Sequence, residues 1–297
     1  MESKLSSLSI IETTHQTVLN SGTKSTPSSV NRLWRPAAQR NMKNQWSRLN
    51  SLRQEWFSSS SAARSHATSL VNAYLSQRYM KDMELGVLSD MPDIQKKACS
   101  KLLKQQVVHR DKLLSSYKEM VATVVNMVNI SSSLRCFHQV GTNSSHIRFS
   151  SNSEDANDEG DGGGVPLYTF WSISCFEKLA LELVQMFKSE LYLKRLLVIE
   201  FLPLKNKDVS IIKRLSWCDE IYQGEFDDLR RCNFDHKDPK LDGCCINETL
   251  MQPKNQPDSD VLQIYLTAWL TDVNIDKQRM EDIFSEVGEE MHTNFLS

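Results

Sequence analysis

The sequence predicts an all-α protein: an elongated helical bundle, coiled-coil-like in part, of five to six helices. Three observations carry this. Only 10 Gly and 8 Pro occur in 297 residues, too few for the tight turns of an all-β or glycine-turn-rich fold. Hydrophobic residues make up 40% and charged residues 24%, the balance of a chain that buries an ordinary core. Apolar residues recur at steps of three and four along several long stretches, and no segment makes a convincing strand.

The elements follow in order. Residues 1–30 hold thirteen Ser/Thr and one Pro, the composition of a disordered arm. It contains Thr26-Pro27, the sole Ser/Thr-Pro pair and so the candidate site for a proline-directed kinase, at Thr26. Residues 31–137 read as three helices. Pro36 suits a first helical turn, and Met42, Trp46, Leu49, Arg53 and Trp56 follow at helical spacing. The serine run 58–61 then caps a second helix with Ala63, Ala67, Leu70, Val71 and Tyr74 on one stripe. After the break at Gly86 and Pro92, a third helix carries Leu103, Val107, Arg110, Leu114, Tyr117, Val121, Val124 and Val128 at the steps of a heptad seam.

Residues 138–165 turn to Ser, Asn, Asp, Glu and Gly and read as a flexible acidic linker. Residues 166–203 open on PLYTFW and continue as a long amphipathic helix. Its stripe is Phe176, Leu179, Leu183, Phe187, Glu190, Lys194, Leu197 and Phe201, Ser174 and Glu177 have capping-box spacing, and Pro203 ends it. Tyr168, Phe170 and Trp171 precede it, placed to staple its start onto the first bundle. Residues 204–257 lose all period and read as a mostly disordered insert, with a short helix within 211–229. Residues 258–297 close the chain as a helical hairpin, with Val261, Leu262, Tyr265, Leu266 and Trp269 on one arm and Ile275, Ile283, Phe284, Val287 and Met291 on the other.

No phosphate-binding glycine loop, nucleophile elbow or zincin motif occurs, so no catalytic residue is assigned and a non-enzymatic protein is expected. Cys232 and His236 have zinc-knuckle spacing, but adjacent Cys244 and Cys245 do not complete a normal site, so free thiols and no metal or cofactor are expected. Seven cysteines without paired spacing point to a reducing compartment. No leader-like segment stands at the start, and no run of about 18 apolar residues predicts a membrane span. Lys and Arg outnumber acids by more than two to one between Arg32 and Lys118, whereas residues 258–297 hold nine acids and two bases. The two regions therefore either pack together or face different partners.

The first helix interleaves Arg32, Arg35, Arg40, Lys43, Arg48 and Arg53 with Trp34, Trp46 and Trp56, a pattern that also suits nucleic acid. Against it, Trp46 and Trp56 fall on the apolar stripe. Lys194 and Arg195 interrupt an apolar helix. Glu190, four residues earlier, is placed to pair with Lys194 while the long stems cover apolar surface and the heads reach water. The other reading is a docking contact to an acidic partner.

The segments PLYTFW and FEKLALELVQMFKSELYLKRLLVIEFL, the closing IYLTAWL and RMEDIFSEVGEEM, and AAQRNMKNQWSRLN with Trp46, Leu49 and Asn50 together resemble the cyclin-dependent kinase 2-interacting protein family. The resemblance covers roughly residues 36–137, 166–203 and 258–292; the insert at 204–257 departs from it. It implies a non-catalytic nuclear adaptor, present in the cytoplasm as well, that serves DNA replication, the cell cycle and checkpoint signalling. The implied partners are a cyclin-dependent or origin-firing kinase, a checkpoint-kinase partner subunit, and a AAA-type ATPase assembly linked to ribosome maturation. Trp171, Phe187, Glu190, Lys194, Arg195 and Trp269 are the candidate partner contacts. The alternative is a nucleic-acid-binding helical module built on the basic first helix.

Overall fold

Trp34, Ala38, Met42, Trp46, Leu49, Leu52 and Trp56 recur every three or four residues, and Ala63, Ala67, Leu70, Val71 and Tyr74 continue the same stripe; all are buried. In the computed structural model, which describes residues 28–80, 83–140, 145–149, 158–204, 215–234 and 257–295, they lie on a single helix. This α1 runs Ser28–Tyr79, 52 residues and so about 78 Å. The expected break at the serine run does not occur. Ser59 Oγ donates back to the carbonyls of Glu55 (2.9 Å) and Trp56 (3.1 Å), so the serine satisfies itself inside the helix instead of capping a new one. Pro36 lies in the helix interior, where one backbone bond is forgone.

The second helix, α2 (Ile94–Ser132), returns antiparallel along α1, so the expected three N-terminal helices are two. Its buried face is Gln106, Leu113, Tyr117, Met120, Val121, Val124 and Met127. That face is rotated from the expected seam, and Val107 is exposed. The rotation begins at Gln106, whose amide donates to Gln77 Oε1 (2.7 Å) and to the Ala73 carbonyl (3.3 Å). This buried polar layer fixes the register of the two helices.

Beyond α2 the expected linker is partly built. Strands β1 (Cys136–Val140) and β2 (Ser145–Phe149) pair antiparallel with Cys136 opposite Phe149. Residues 158–165 then fold back on α1 and on the residues that follow α2. Asp158 accepts the amides of His138 (2.7 Å) and Gly160 (2.8 Å), and Arg135 reaches the Glu159 carbonyl at 3.0 Å. Gly160 (φ +72°) and Gly162 (φ +70°) lie against the rings of Phe137 and Trp34, where a Cβ would clash. These glycines are fitted, not merely flexible.

Helix α3 (Ile173–Phe201) packs on α2. It begins one residue before Ser174, and Glu177 binds Arg135 through two bonds (2.9 and 3.0 Å), so the expected capping box is absent. Its C-terminal end is closed by Arg110 of α2, which donates to the carbonyls of Leu202 (3.0 Å) and Leu204. Residues 215–234, expected to be mostly disordered, carry the short helix α4 (Glu225–Arg231), which packs on α2. Helices α5 (Ser259–Thr271) and α6 (Lys277–Met291) follow one another through a short turn and each packs on α3, with Asp258 and Asp276 as caps and Asp272 in the left-handed region (φ +46°) at the turn. Six helices and one two-stranded ribbon among the described residues make the fold all-α.

Candidate functional site

Five of the six candidate partner contacts are interior. Phe187 meets Trp56 edge-on at 5.5 Å between ring centroids, and Trp269 donates its indole N–H to the Ser60 carbonyl at 3.1 Å. Lys194 Nζ is fully buried, 2.7 Å from Glu190 Oε1 and 3.1 Å from Asp272 Oδ1, and it donates to the Trp269 carbonyl at 2.6 Å. Glu190 Oε2 accepts the backbone and side-chain amides of Asn274 at 2.8 and 3.0 Å. The i,i+4 pair is therefore present, but its heads do not reach water: they clamp the turn between α5 and α6 onto α3.

Arg195, the next residue, points to a different strap. Its guanidinium grips Glu225 through two bonds (2.9 and 3.2 Å) and donates to the carbonyls of Trp217 and Asp219, both at 2.9 Å. Its plane lies 4.3 Å from the Trp217 ring centroid. Glu225 also accepts the Tyr117 hydroxyl (2.6 Å) and the Ile221 amide (2.7 Å). Burial, and then the Glu225 charge, hold the Tyr117 hydroxyl well above its ordinary pKa, so it stays a donor. A buried guanidinium with four of its five N–H donors engaged serves the fold. The expectation that Phe187, Glu190, Lys194, Arg195 and Trp269 meet a partner is corrected accordingly.

The sixth, Trp171, is half-buried and packs edge-on against Phe176 at 5.4 Å. It closes a pinned turn. Glu290 Oε1, from the end of α6, accepts the amides of Thr169, Phe170 and Trp171 at 2.8, 2.6 and 2.9 Å. Arg35 holds the carbonyls of Leu167 and Tyr168, and Tyr168 returns its hydroxyl to the Gln39 carbonyl at 2.6 Å. The aromatics thus staple α3 onto α1 and α6, except Phe170, which is 79% exposed.

A surface with five exposed large apolar side chains lies at the far end of the α1–α2 pair. Past the Gln77–Gln106 layer, no residue of α2 before Gln106 is buried. α1 ends two residues beyond Gln77, so the arm is the start of α2 with the connecting segment, joined to the end of α1 by the Gln95 amide on the Met80 carbonyl (2.6 Å) and by Cys99 against Met80 (3.6 Å). At its tip Tyr79, Met83, Val87, Leu88 and Met91 are all exposed, Val87 at 93%. Down the outer face of α2, Lys97, Lys101, Lys104 and Val108 succeed one another at steps of four, three and four, which keeps them in line. All four are exposed, as are Lys96, Val107 and Lys112. The lysine spacing was readable in the sequence, but the apolar tip was not, because core and surface methionines look alike there.

The remaining expectations resolve unevenly. Trp34, Trp46 and Trp56 are buried, which removes the aromatics from the basic face of α1; Arg40, Lys43 and Arg48 stay exposed. Cys232 is buried, with its thiol pushed up to about 11, chiefly by burial, and no group of three metal-ligating side chains exists among the described residues. His236, Cys244, Cys245 and Thr26 lie outside the described residues. No described helix is long and apolar enough to cross a membrane. Glu290 and Arg35 were missed as anchors because their partners are backbone groups, and Glu225 and Asp272 because their hydrogen-bonded side-chain partners lie 30 or more residues away in sequence; neither leaves a spacing signal. No family model matches the chain, and no curated protein does.

Proposed function

We propose that this protein is a non-catalytic nuclear adaptor, present also in the cytoplasm, that binds protein partners in DNA replication, checkpoint or AAA-ATPase-linked ribosome maturation complexes. The resemblance of its PLYTFW-helix and terminal hairpin sequences supplies the cellular setting. The carrying observation is the arm: the start of α2 and the segment leading into it, which hold no buried residue among those described and present five exposed large apolar side chains between Tyr79 and Met91. Exposed apolar groups gathered in one place are the mark of an interaction surface. The expected partners are a cyclin-dependent or origin-firing kinase, a checkpoint-kinase partner subunit and a AAA-type ATPase assembly.

Affinity purification of the tagged full chain, with mass spectrometry, tests this. Recovery of a AAA ATPase or replication kinases by the wild type, and their loss with V87D/L88D, is the expected result. Recovery of RNA-binding proteins alone would overturn it. Nucleic-acid affinity with a steep salt dependence, abolished by reversing Arg40, Lys43 and Arg48, would establish the alternative.

A further inference from the structure

We infer that the outer face of the arm receives an acidic amphipathic helix of a partner protein, lying along α2 with its carboxylates on Lys97, Lys101 and Lys104. The inference rests on the adaptor reading and adds the partner's chemistry. The face has a defined layout. From Lys97 to Val108 the aligned positions span eleven residues, about 16 Å, or three turns of helix. Exposed apolar groups stand at both ends, Val107 and Val108 toward the core and Met91, Leu88 and Val87 at the tip.

The lysines between them are unspent. Lys96, Lys97, Lys101, Lys104 and Lys112 take part in no ion pair among the described residues, and the only acid on α2 before Glu119 is Asp111. They differ in this from Arg35, Arg110, Arg135, Arg195 and Arg279, each of which holds a backbone or carboxylate partner. A basic stripe bounded by apolar contacts suits a helix that offers Leu-type anchors at its ends and Glu or Asp along its middle. Charges flanking an apolar seam at heptad spacing set partner choice and orientation in helix pairs. Met83 and Met91 add adaptable apolar contact at the tip.

Two other classes fit less well. An anionic membrane would draw in the apolar tip, but exposed Glu84, Asp90 and Asp93 stand among those residues and would meet the headgroups. A nucleic acid would use the lysines, but the lysine row from Lys97 to Val108 has no Trp, Tyr or Phe to stack on bases, Tyr79 standing apart at the tip, and its valines have no role against phosphate.

The test uses the full-length chain and four probes: a synthetic heptad-repeat helix with Leu at its core positions and Glu on its flanks, its Lys-flanked counterpart, phosphatidylserine vesicles, and duplex DNA. The wild type should bind the Glu-flanked helix, more weakly as salt rises, and K97E/K101E/K104E should weaken this roughly tenfold or more. The same triple variant should gain the Lys-flanked helix, which also shows that it is folded. Equal binding of both helices by the wild type overturns the inference. So does binding of vesicles or DNA that the triple substitution abolishes while the Glu-flanked helix fails to bind. Failure of the adaptor reading looks different: V87D/L88D would then keep every cellular partner. If V87D/L88D loses those partners while K97E/K101E/K104E still binds the Glu-flanked helix unchanged, this inference alone falls.

Discussion

Lys194 and Lys101 are the same side chain put to opposite uses. Lys194 has no exposed surface and answers to Glu190, Asp272 and the Trp269 carbonyl, whereas Lys101 is exposed and answers to no ion-pair partner among the described residues. Around Lys194, charge is interior and apolar groups are buried with it. Around Lys101, charge is outside and Val107, Val108 and Met91 are outside too. In the body, then, charged residues act as fasteners for segments that lack apolar stripes of their own. In the arm, both kinds of side chain face solvent, where they do nothing for stability and remain available for recognition. Substitutions in the two regions should therefore separate folding from binding.

The largest effects belong to the body. Arg195→Ala removes a guanidinium and leaves Glu225 buried without its countercharge, so the expected loss is about 3–5 kcal/mol in urea unfolding. A double change to Arg195→Met with Glu225→Leu should recover most of that loss, because replacing a whole buried pair costs less than halving it. A double variant as unstable as the single one would mean that the strap is held mainly by the Trp217 and Asp219 carbonyls. Phe187→Ala should likewise cost about 3–5 kcal/mol, since the ring is enclosed by Trp56 and Phe57. An equally stable, soluble protein with weakened partner binding would move Phe187 back to the surface.

Glu290 probes the boundary between the two behaviours. Its carboxylate satisfies three consecutive amides, so Glu290→Ala should cost about 1–3 kcal/mol and loosen the Phe170 turn, read as faster amide exchange at residues 169–171. Unchanged exchange would show that Arg35 and Gln39 alone hold that turn. At the tip the contrast should be complete. Leu88→Ser and Met91→Ser should change stability by no more than about 0.5 kcal/mol, because no residue from Gly86 to Leu88 is buried. A loss above about 1 kcal/mol in either variant would mean that the tip packs on the body and is not free for a partner.

The comparison also explains what the sequence made legible. Stripes long enough to outvote single residues were readable: Met42 to Trp56, Phe176 to Phe201 and Ile283 to Met291 all face the core. The serine run at 58–61 misled, because the same hydroxyl that caps a helix also bonds the carbonyl four residues back. Here Ser59 and Ser60 are buried, and Ser60 offers its carbonyl to Trp269. The ribbon 136–149 is short and polar enough to pass for a linker, and its pairing depends on contacts outside the strands, such as His138 on Asp158. Of the strap 215–234 only a short helix was legible; that it is tied to the body was not, because one carboxylate, Glu225, ties it down, and Arg195 reads from sequence as an exposed base. The candidate site fared worst. Its lysine spacing was visible, but that these lysines hold no ion pair among the described residues and are flanked by exposed apolar groups emerges only from the folded structure.

The smallest effect falls near the junction of body and arm. His66 of α1 and His109 of α2 face each other with ring centroids 5.9 Å apart, one turn of α2 from Gln106. Burial lowers both pKa values below the ordinary 6.5, and the Lys112 charge lowers both further; His109 adds its own share for His66. The fold therefore prefers both rings neutral. Above pH 6.5 neither the folded nor the unfolded chain is protonated there, so the contribution is fully present. Below it, the unfolded chain takes up protons that the folded chain resists, and stability falls until the lowered values are reached. Urea midpoints followed from about pH 7.5 down to about pH 5.5 should decline, and H66N/H109N should decline less. Identical slopes would assign the acid sensitivity to the ion pairs of the body and leave the hairpin junction indifferent to pH. A flatter slope in the variant would locate it between α1 and α2, where protonation sets two cations beside Lys112 just below the lysine face of the arm.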